Sequence, residues 1–425
     1  MSRTDRISPW AWIPTLYFAQ GLPYVAVMTV SVIMYKRMGI SNTDIALYTG
    51  WLYLPWVIKP LWSPFVDILR SKRWWTVAMQ WTLAASFAAV ALLIPAPAFF
   101  TATLAAFWLT AFASATHDIA SDGFYMLALD EHRQSFYVGI RTTFYRVAIV
   151  AGQGGIVVVA GLLERSTGSI PFAWAVAMGT MSAMLLALAL WHSFILPHPD
   201  ADRTLHSGFT PARILTDFSE TFRSFFRKPG VGPALAFMLL YRLPEAQLVK
   251  LINPFLLDPH EAGGMGLSTA QVGMVYGTVG VISLMAGGII GGIVAARGGL
   301  KRWLMPMAWA MSLTCATFLY LSMADDPHLL TIYICVAVEQ FGYGFGGTAY
   351  TLYLIYYATG PSRTSHYAIA TGFMALGMML PGMAAGWIQE TLGSYTAFFI
   401  WTMVCCVTTV VAASRLHIDP RFGRR

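Results

Sequence analysis

The chain has 425 residues, 57% of them hydrophobic and only 11% charged, with a net charge of +7. A soluble globule carries about 25% charged residues, so this balance excludes a soluble enzyme and a charged nucleic-acid module. The basic excess sits in short loops and reads as a topology signal, which leaves an all-α polytopic membrane protein.

A bilayer-spanning helix needs about 20 apolar residues. Twelve stretches near that length follow one another, at 10–34, 46–68, 74–95, 99–126, 136–162, 172–195, 232–256, 270–295, 303–323, 329–357, 364–389 and 395–414. The first starts near Pro9 with no small-residue cleavage pattern, so it is expected to be a membrane helix and not a leader. It carries Gln20 and Tyr24 around the step Leu22-Pro23, where the missing proline donor should free carbonyls and kink the helix. The second span holds Lys59 between Pro55 and Pro60, a cation at bilayer depth suited to pair with an acid. It runs into the loop Ser63-Pro-Phe-Val-Asp67-Ile-Leu-Arg70-Ser-Lys72-Arg73.

An ionisable side chain at bilayer depth costs about 2.5–3.5 kcal/mol on insertion scales, so it faces a cavity or a partner. In the fourth span Asp118 and Asp122 are four residues apart and share a face. Two carboxylates on one low-dielectric face suit a proton carrier; the alternative is a pair of structural ions anchored to Arg141 and Arg146 of the fifth span. Those arginines, with Tyr145, also suit a carboxylate or phosphate on a solute, which a guanidinium grips bidentately. Residues 197–230 form the longest polar stretch, in which Ile214, Leu215, Phe218, Phe222 and Phe225 recur at helical spacing beside basic residues. That pattern fits an amphipathic helix on the membrane surface or a plain linker between halves.

The seventh span repeats the Leu-Pro step at Leu243-Pro244, flanked by Arg242 and Glu245. Glu245 is a proton-coupling candidate, with a local ion pair as the alternative. The tenth span carries Glu339, Gln340, Tyr343 and Tyr350, and its Gly342, Gly344, Gly346 and Gly347 should let a neighbouring helix approach closely. Gln20, Tyr24, Arg141, Tyr145, Arg146, Arg242, Tyr343 and Tyr350 are the candidate solute ligands; Asp118, Asp122, Glu245 and Glu339 are the candidate proton sites. Cys315, Cys335, Cys405 and Cys406 lie in apolar runs without ligand spacing, so no metal and no cofactor is expected.

The halves repeat each other in order. Met38-Gly39-Ile40-Ser41 returns as Met265-Gly266-Leu267-Ser268, Lys72-Arg73-Trp74 as Lys301-Arg302-Trp303, and Gly161 with Glu164 as Gly386 with Glu390, at offsets of 225 to 229. The expected organisation is therefore two pseudo-symmetric six-helix bundles, 1–196 and 231–425, joined by the linker 197–230. Parallel repeats of this kind are a transporter design, with solute near the midplane. Threading twelve spans puts nineteen Lys and Arg on the side of the termini and four on the other, so both termini are expected in the cytoplasm.

The loop after the second span resembles the signature of the major facilitator superfamily, a small residue, an acid four on and a basic cluster. That resemblance implies a gating role for Asp67, Arg70 and Arg73. Ser63 stands where glycine is usual, and the second-half copy has Ala296 in place of the acid. Tyr17-Phe-Ala-Gln20-Gly21-Leu22-Pro23-Tyr24 and Thr116-His117-Asp118-Ile-Ala-Ser-Asp122-Gly123 are similar to the AmpG-like muropeptide permease branch, which includes acetyl-CoA transporters. The resemblance implies proton-coupled uptake of anhydro-muropeptides or related amino-sugar conjugates across a bacterial inner membrane, by a carrier that works as a monomer. A siderophore or drug permease of the same fold, a membrane sensor and a membrane enzyme are the rival readings. The partners expected are a small solute, protons and the bilayer, with no nucleic acid.

Overall fold

The computed structural model describes residues 7–129, 131–199, 202, 219–220, 222–358 and 363–422. Each predicted stretch is helical. In chain order the helices are α1 (Pro9–Arg37), α2 (Asn42–Trp51), α3 (Leu54–Leu69), α4 (Lys72–Leu93), α5 (Phe99–Ala128), α6 (Glu131–Ile149), α7 (Val157–Thr167) and α8 (Ile170–Ile195). After the linker come α9 (Val231–Leu240), α10 (Leu243–Leu257), α11 (Thr269–Gly298), α12 (Leu300–Met323), α13 (Leu329–Tyr357), α14 (Arg363–Leu392) and α15 (Tyr395–Ser414). Ten helices among the described residues are long and apolar enough to cross a membrane. The two remaining predicted spans are each broken in two, at α2–α3 and at α9–α10.

The second of these breaks explains how proline is used. Pro244 sits in the first turn of α10, where its missing N–H would be unpaired in any case. At the matching Pro23, α1 stays helical and instead widens into a π-turn at Ala26–Val30, so only one of the two expected kinks is a break. Two more π-turns occur at Val150–Ile156, joining α6 to α7, and at Gly273–Gly280 in α11.

The helices group into two compact units. One comprises Met1–Met38 and Ile58–Leu215, the other Gly39–Val57 and Thr216–Arg425. In the first unit, α1 is the most enclosed span, with 83% of its apolar window buried against 39–44% for its neighbours. Gly21 permits this, since a Cβ there would lie 2.6 Å from the Tyr145 carbonyl of α6. The N-terminus of α4 is doubly capped. Ser71 Oγ accepts from Trp74 N at 3.2 Å, and the Asp202 carboxylate accepts from Lys72 N and Arg73 N at 2.6 and 3.0 Å.

In the second unit, Gly344 lets α13 meet α11 at Leu284, while Gly342 and Gly346 admit α12. Gly386 of α14 faces the backbone of Asn42, which draws α2 into this unit. Asn42 Nδ2 then donates to Gln389 Oε1 at 3.0 Å and to Tyr395 Oη at 2.9 Å. The described end of the linker does not lie free on the lipid. Phe225 is fully buried against Phe226, Tyr357, His366 and Phe373, and Ser224 Oγ is 2.8 Å from His366 Nε2, because four aromatic neighbours outcompete lipid for that ring. Ile214, Leu215 and Phe218 lie outside the described residues.

Gly386→Leu should destabilise the purified chain by about 1–3 kcal/mol through overpacking, lowering its melting temperature in detergent. Gly155→Ala, which meets no neighbour within 4 Å, should leave it unchanged.

Candidate functional site

The first unit gathers its polar residues from α1, α3, α5 and α6. Asp122 Oδ1 accepts a hydrogen bond from Tyr17 Oη at 3.1 Å and meets Arg141 Nη2 at 3.4 Å. The same guanidinium lies over the rings of Tyr17 and Tyr125, 4.7 and 5.1 Å from their centroids. Arg141 is thereby fixed on three sides. Asp118 Oδ2 stands 4.0 Å from Lys59 Nζ. Among the described residues, the expected anchoring to a fifth-span arginine is seen at Asp122, and α3 supplies a cation at Asp118.

Beside these pairs is a cavity of about 330 Å³, lined by Tyr17, Gln20, Asp118, Arg141, Thr142, Tyr145 and Arg146. Two of its groups have no hydrogen-bond or ion-pair partner among the described residues. Gln20 is only 7% exposed, yet its Oε1 accepts no hydrogen bond among the described residues. Arg146 makes no ion pair or hydrogen bond among them either. Buried polar groups are mostly paired in native proteins, so an acceptor and a cation without partners among the described residues set this wall apart from the paired ions beside it. Tyr24 lies against Tyr145 with ring centroids 6.3 Å apart, behind that wall.

Thr15, His192, Gln80 and His117 form a buried chain that the sequence analysis missed. Thr15 Oγ1 and His192 Nε2 are 2.9 Å apart, as are His192 Nδ1 and Gln80 Oε1, and Gln80 Nε2 and His117 Nε2. It ties α1, α8 and α4 to α5 one residue before Asp118. These side chains are scattered over 177 positions, so no local spacing could have revealed them. Thr142 and Tyr17 were also unassigned, although Tyr17 opens the motif quoted for the first span.

The second unit holds a tighter cluster. Arg242 donates from Nε and Nη2 to the two Glu245 oxygens at 2.7 and 2.9 Å, and from Nη2 to Tyr343 Oη at 2.5 Å. Its guanidinium also lies over the Tyr343 and Tyr350 rings. Tyr350 is buried, stacked on Phe237 and Tyr241, with its hydroxyl donating to the Met238 carbonyl at 2.6 Å. Its ring centroid is 5.9 Å from the Arg242 guanidinium carbon, and only 1% of the residue is exposed. Glu339 accepts from Gln340 Nε2 at 2.8 Å and has no cation within ion-pair distance among the described residues.

The gating candidates fall in the first unit. Arg73 donates to the carbonyls of Leu196 and Ser193 at 3.1 and 2.6 Å, closing the C-terminus of α8, where a cation meets the negative end of the helix dipole. Arg70 lies over the Trp74 ring at 5.8 Å. The Asp67 side chain is outside the described residues.

The family model for the Major Facilitator Superfamily matches residues 15–361. The chain belongs to the major facilitator superfamily. Within it, the anhydromuropeptide permease of Escherichia coli (strain K12) is 26% identical over 409 residues, covering 93% of this chain and 77% of that protein. A putative transporter, AmpG 4, of Rickettsia conorii is 23% identical and covers 92% of each. The fold is that of solved superfamily transporters. The nucleoside transporter NupG aligns with a TM-score of 0.68 at 16% identity, over 95% of this chain and 96% of its own. A D-xylose-proton symporter aligns at 0.68 and 14% identity, over 96% and 97%. The chain is therefore a transporter of this superfamily, similar to AmpG permeases, and a multi-pass membrane protein.

The Arg242–Glu245 pair gives a stability test. Arg242→Met alone should cost about 3–5 kcal/mol by stranding Glu245, and Arg242→Met with Glu245→Met should recover most of that loss. Thermal unfolding of the two variants in one detergent measures the cycle.

Proposed function

We propose that this superfamily member imports a mid-sized anionic solute together with protons, by alternating access, and that the cargo is an anhydro-muropeptide or a related amino-sugar conjugate. The observation that supports this most is the cavity in the first unit, where the Arg146 guanidinium and Gln20 Oε1 share a wall and neither has an ion-pair or hydrogen-bond partner among the described residues. Arg146 suits a carboxylate or phosphate, and Gln20 Oε1 suits an amide N–H or a hydroxyl. A conjugate with an acid, an acetamido group and hydroxyls offers both. Ligand pockets start at about 300 Å³, so the cavity fits one end of such a molecule. Its polar lining favours this cargo over a lipophilic drug. The name of the Escherichia coli relative points to the same class.

For the proton, Glu339 is the first choice. Asp118, Asp122 and Glu245 each have a cation beside them, and Glu339 has an amide instead. In this reading Arg141 and Arg242 position their acids and tyrosines, and Arg146 and Gln20 touch cargo. Lys59 and Tyr145 complete the wall. The protein carries out transport and no catalysis. It works as a monomer in a bacterial inner membrane with both termini in the cytoplasm, and the repeats 1–196 and 231–425 act as its two moving halves.

Uptake of labelled muropeptide fragments into proteoliposomes tests this. Arg146→Gln should weaken transport of acid-bearing fragments about 10- to 100-fold, the loss of one charged hydrogen bond, with little effect on amidated ones. Glu339→Gln should abolish the response to an imposed pH gradient while counterflow persists. Uptake indifferent to the gradient in the wild type would remove the coupling, and no counterflow with any fragment would remove the cargo class.

A further inference from the structure

The second unit has a basic hollow apart from the solute and proton candidates named above. Arg297 ends α11, Gly298 and Gly299 make the turn, and Lys301 and Arg302 open α12. With Pro420 from the tail, Arg297, Gly298, Lys301 and Arg302 line a cavity of about 240 Å³. The tail is tied over it by Leu300 N donating to the Phe422 carbonyl at 3.2 Å. Gly299, at a φ of +80°, permits the tight turn that brings the three cations to one place.

None of the three cations makes an ion pair or a side-chain hydrogen bond among the described residues. The sequence gives the reason. This loop is the second copy of the Asp67–Arg73 loop, and the copy has Ala296 where the first has its acid. Topology alone requires positive loops. It does not require three cations to converge on a hollow in a loop that lacks the acid of the first copy.

The surroundings say which anion fits. Ile289, Ile293 and Arg297 follow one another at steps of four along α11, and both isoleucines are exposed. On α12, exposed Trp309 and Leu313 lie on the ridge that begins at Arg302. Two lipid-facing apolar ridges thus run up to the same basic hollow. We infer that this hollow binds the phosphate headgroup of an anionic phospholipid, with the acyl chains laid along the exposed ridges of α11 and α12. Basic pockets at the ends of membrane helices recognise such headgroups.

Native mass spectrometry of the purified full chain, exchanged into phosphatidylglycerol or phosphatidylcholine, tests the assignment. The wild type should retain phosphatidylglycerol over phosphatidylcholine. Arg297→Gln with Arg302→Gln should reduce that retention about 25-fold, at about fivefold per charge. Arg223→Gln with Arg227→Gln removes the same charge from exposed positions elsewhere and should leave it unchanged. Ala296→Asp, which restores the missing acid and keeps every cation, should also release the lipid. Equal retention in the two double variants, or no effect of Ala296→Asp, would overturn the proposal. Displacement by millimolar free glycerol phosphate would overturn the lipid assignment in favour of a soluble phosphate.

Discussion

Charge compensation at hydrocarbon depth is the constraint on which the rest of the molecule depends. An isolated ion there is expensive, and a pair whose remaining donors and acceptors are satisfied is tolerable. The structure meets this cost locally, with Arg141 against Asp122, Lys59 against Asp118 and Arg242 against Glu245. Three groups depart from the pattern. Arg146 has a cavity in place of an acid, Glu339 has an amide in place of a cation, and Lys250 donates to Thr49 Oγ1 at 2.9 Å and lies over the Tyr53 ring. Paired ions fix helices in place, whereas groups left without an opposite charge are where a transported ion or solute adds the most.

The pairs fix helices because their geometry is over-determined. Arg141 has little freedom with Asp122 in front of it and tyrosine faces from α1 and α5 around it. The chain from Thr15 to His117 sets the rotation of α5 from its other side. Gly21 then brings α1 close enough to α6 for Gln20 and Arg146 to share one wall. A preorganised wall needs little ordering when cargo arrives, which leaves more of its contact energy for affinity.

Much of this was legible in the sequence, for a physical reason. Span periodicity and basic-loop asymmetry are set by the bilayer, acting on each segment separately, so twelve helices and the superfamily signature could be read without coordinates. The intramembrane acids and arginines stood out because charge is rare there. Their partners were harder. Lys59 was visible, but nothing in the chain said that it would meet Asp118. Lys250 lies buried within α10, where a threonine hydroxyl and a tyrosine ring receive its amine, and neither partner is near it in sequence. Tyr350 was a candidate ligand by its type and place in the tenth span; its carbonyl partner and its aromatic neighbours, which make it core, come from 109 or more positions upstream. Asp202 went unnoticed for the same reason, as it caps a helix 130 residues away.

The duplication shows how far a repeat can be trusted. Arg73 and Arg302 occupy the same place in the two copies. Arg73 closes the end of α8, and Arg302 has no protein partner among the described residues. Glu164 and Glu390 are also counterparts. Glu164 holds Arg37 and Trp174 within the first unit, while Glu390 accepts from the backbone of Thr43 at 3.2 Å. Duplicated backbone geometry persists because each half must still build the same bundle from the same spans. Side-chain partnerships are free to diverge once either member changes, as Ala296 did. A repeat is therefore strong support for architecture and weak support for chemistry, and each copy's charges have to be traced to their own neighbours before a role is given to them.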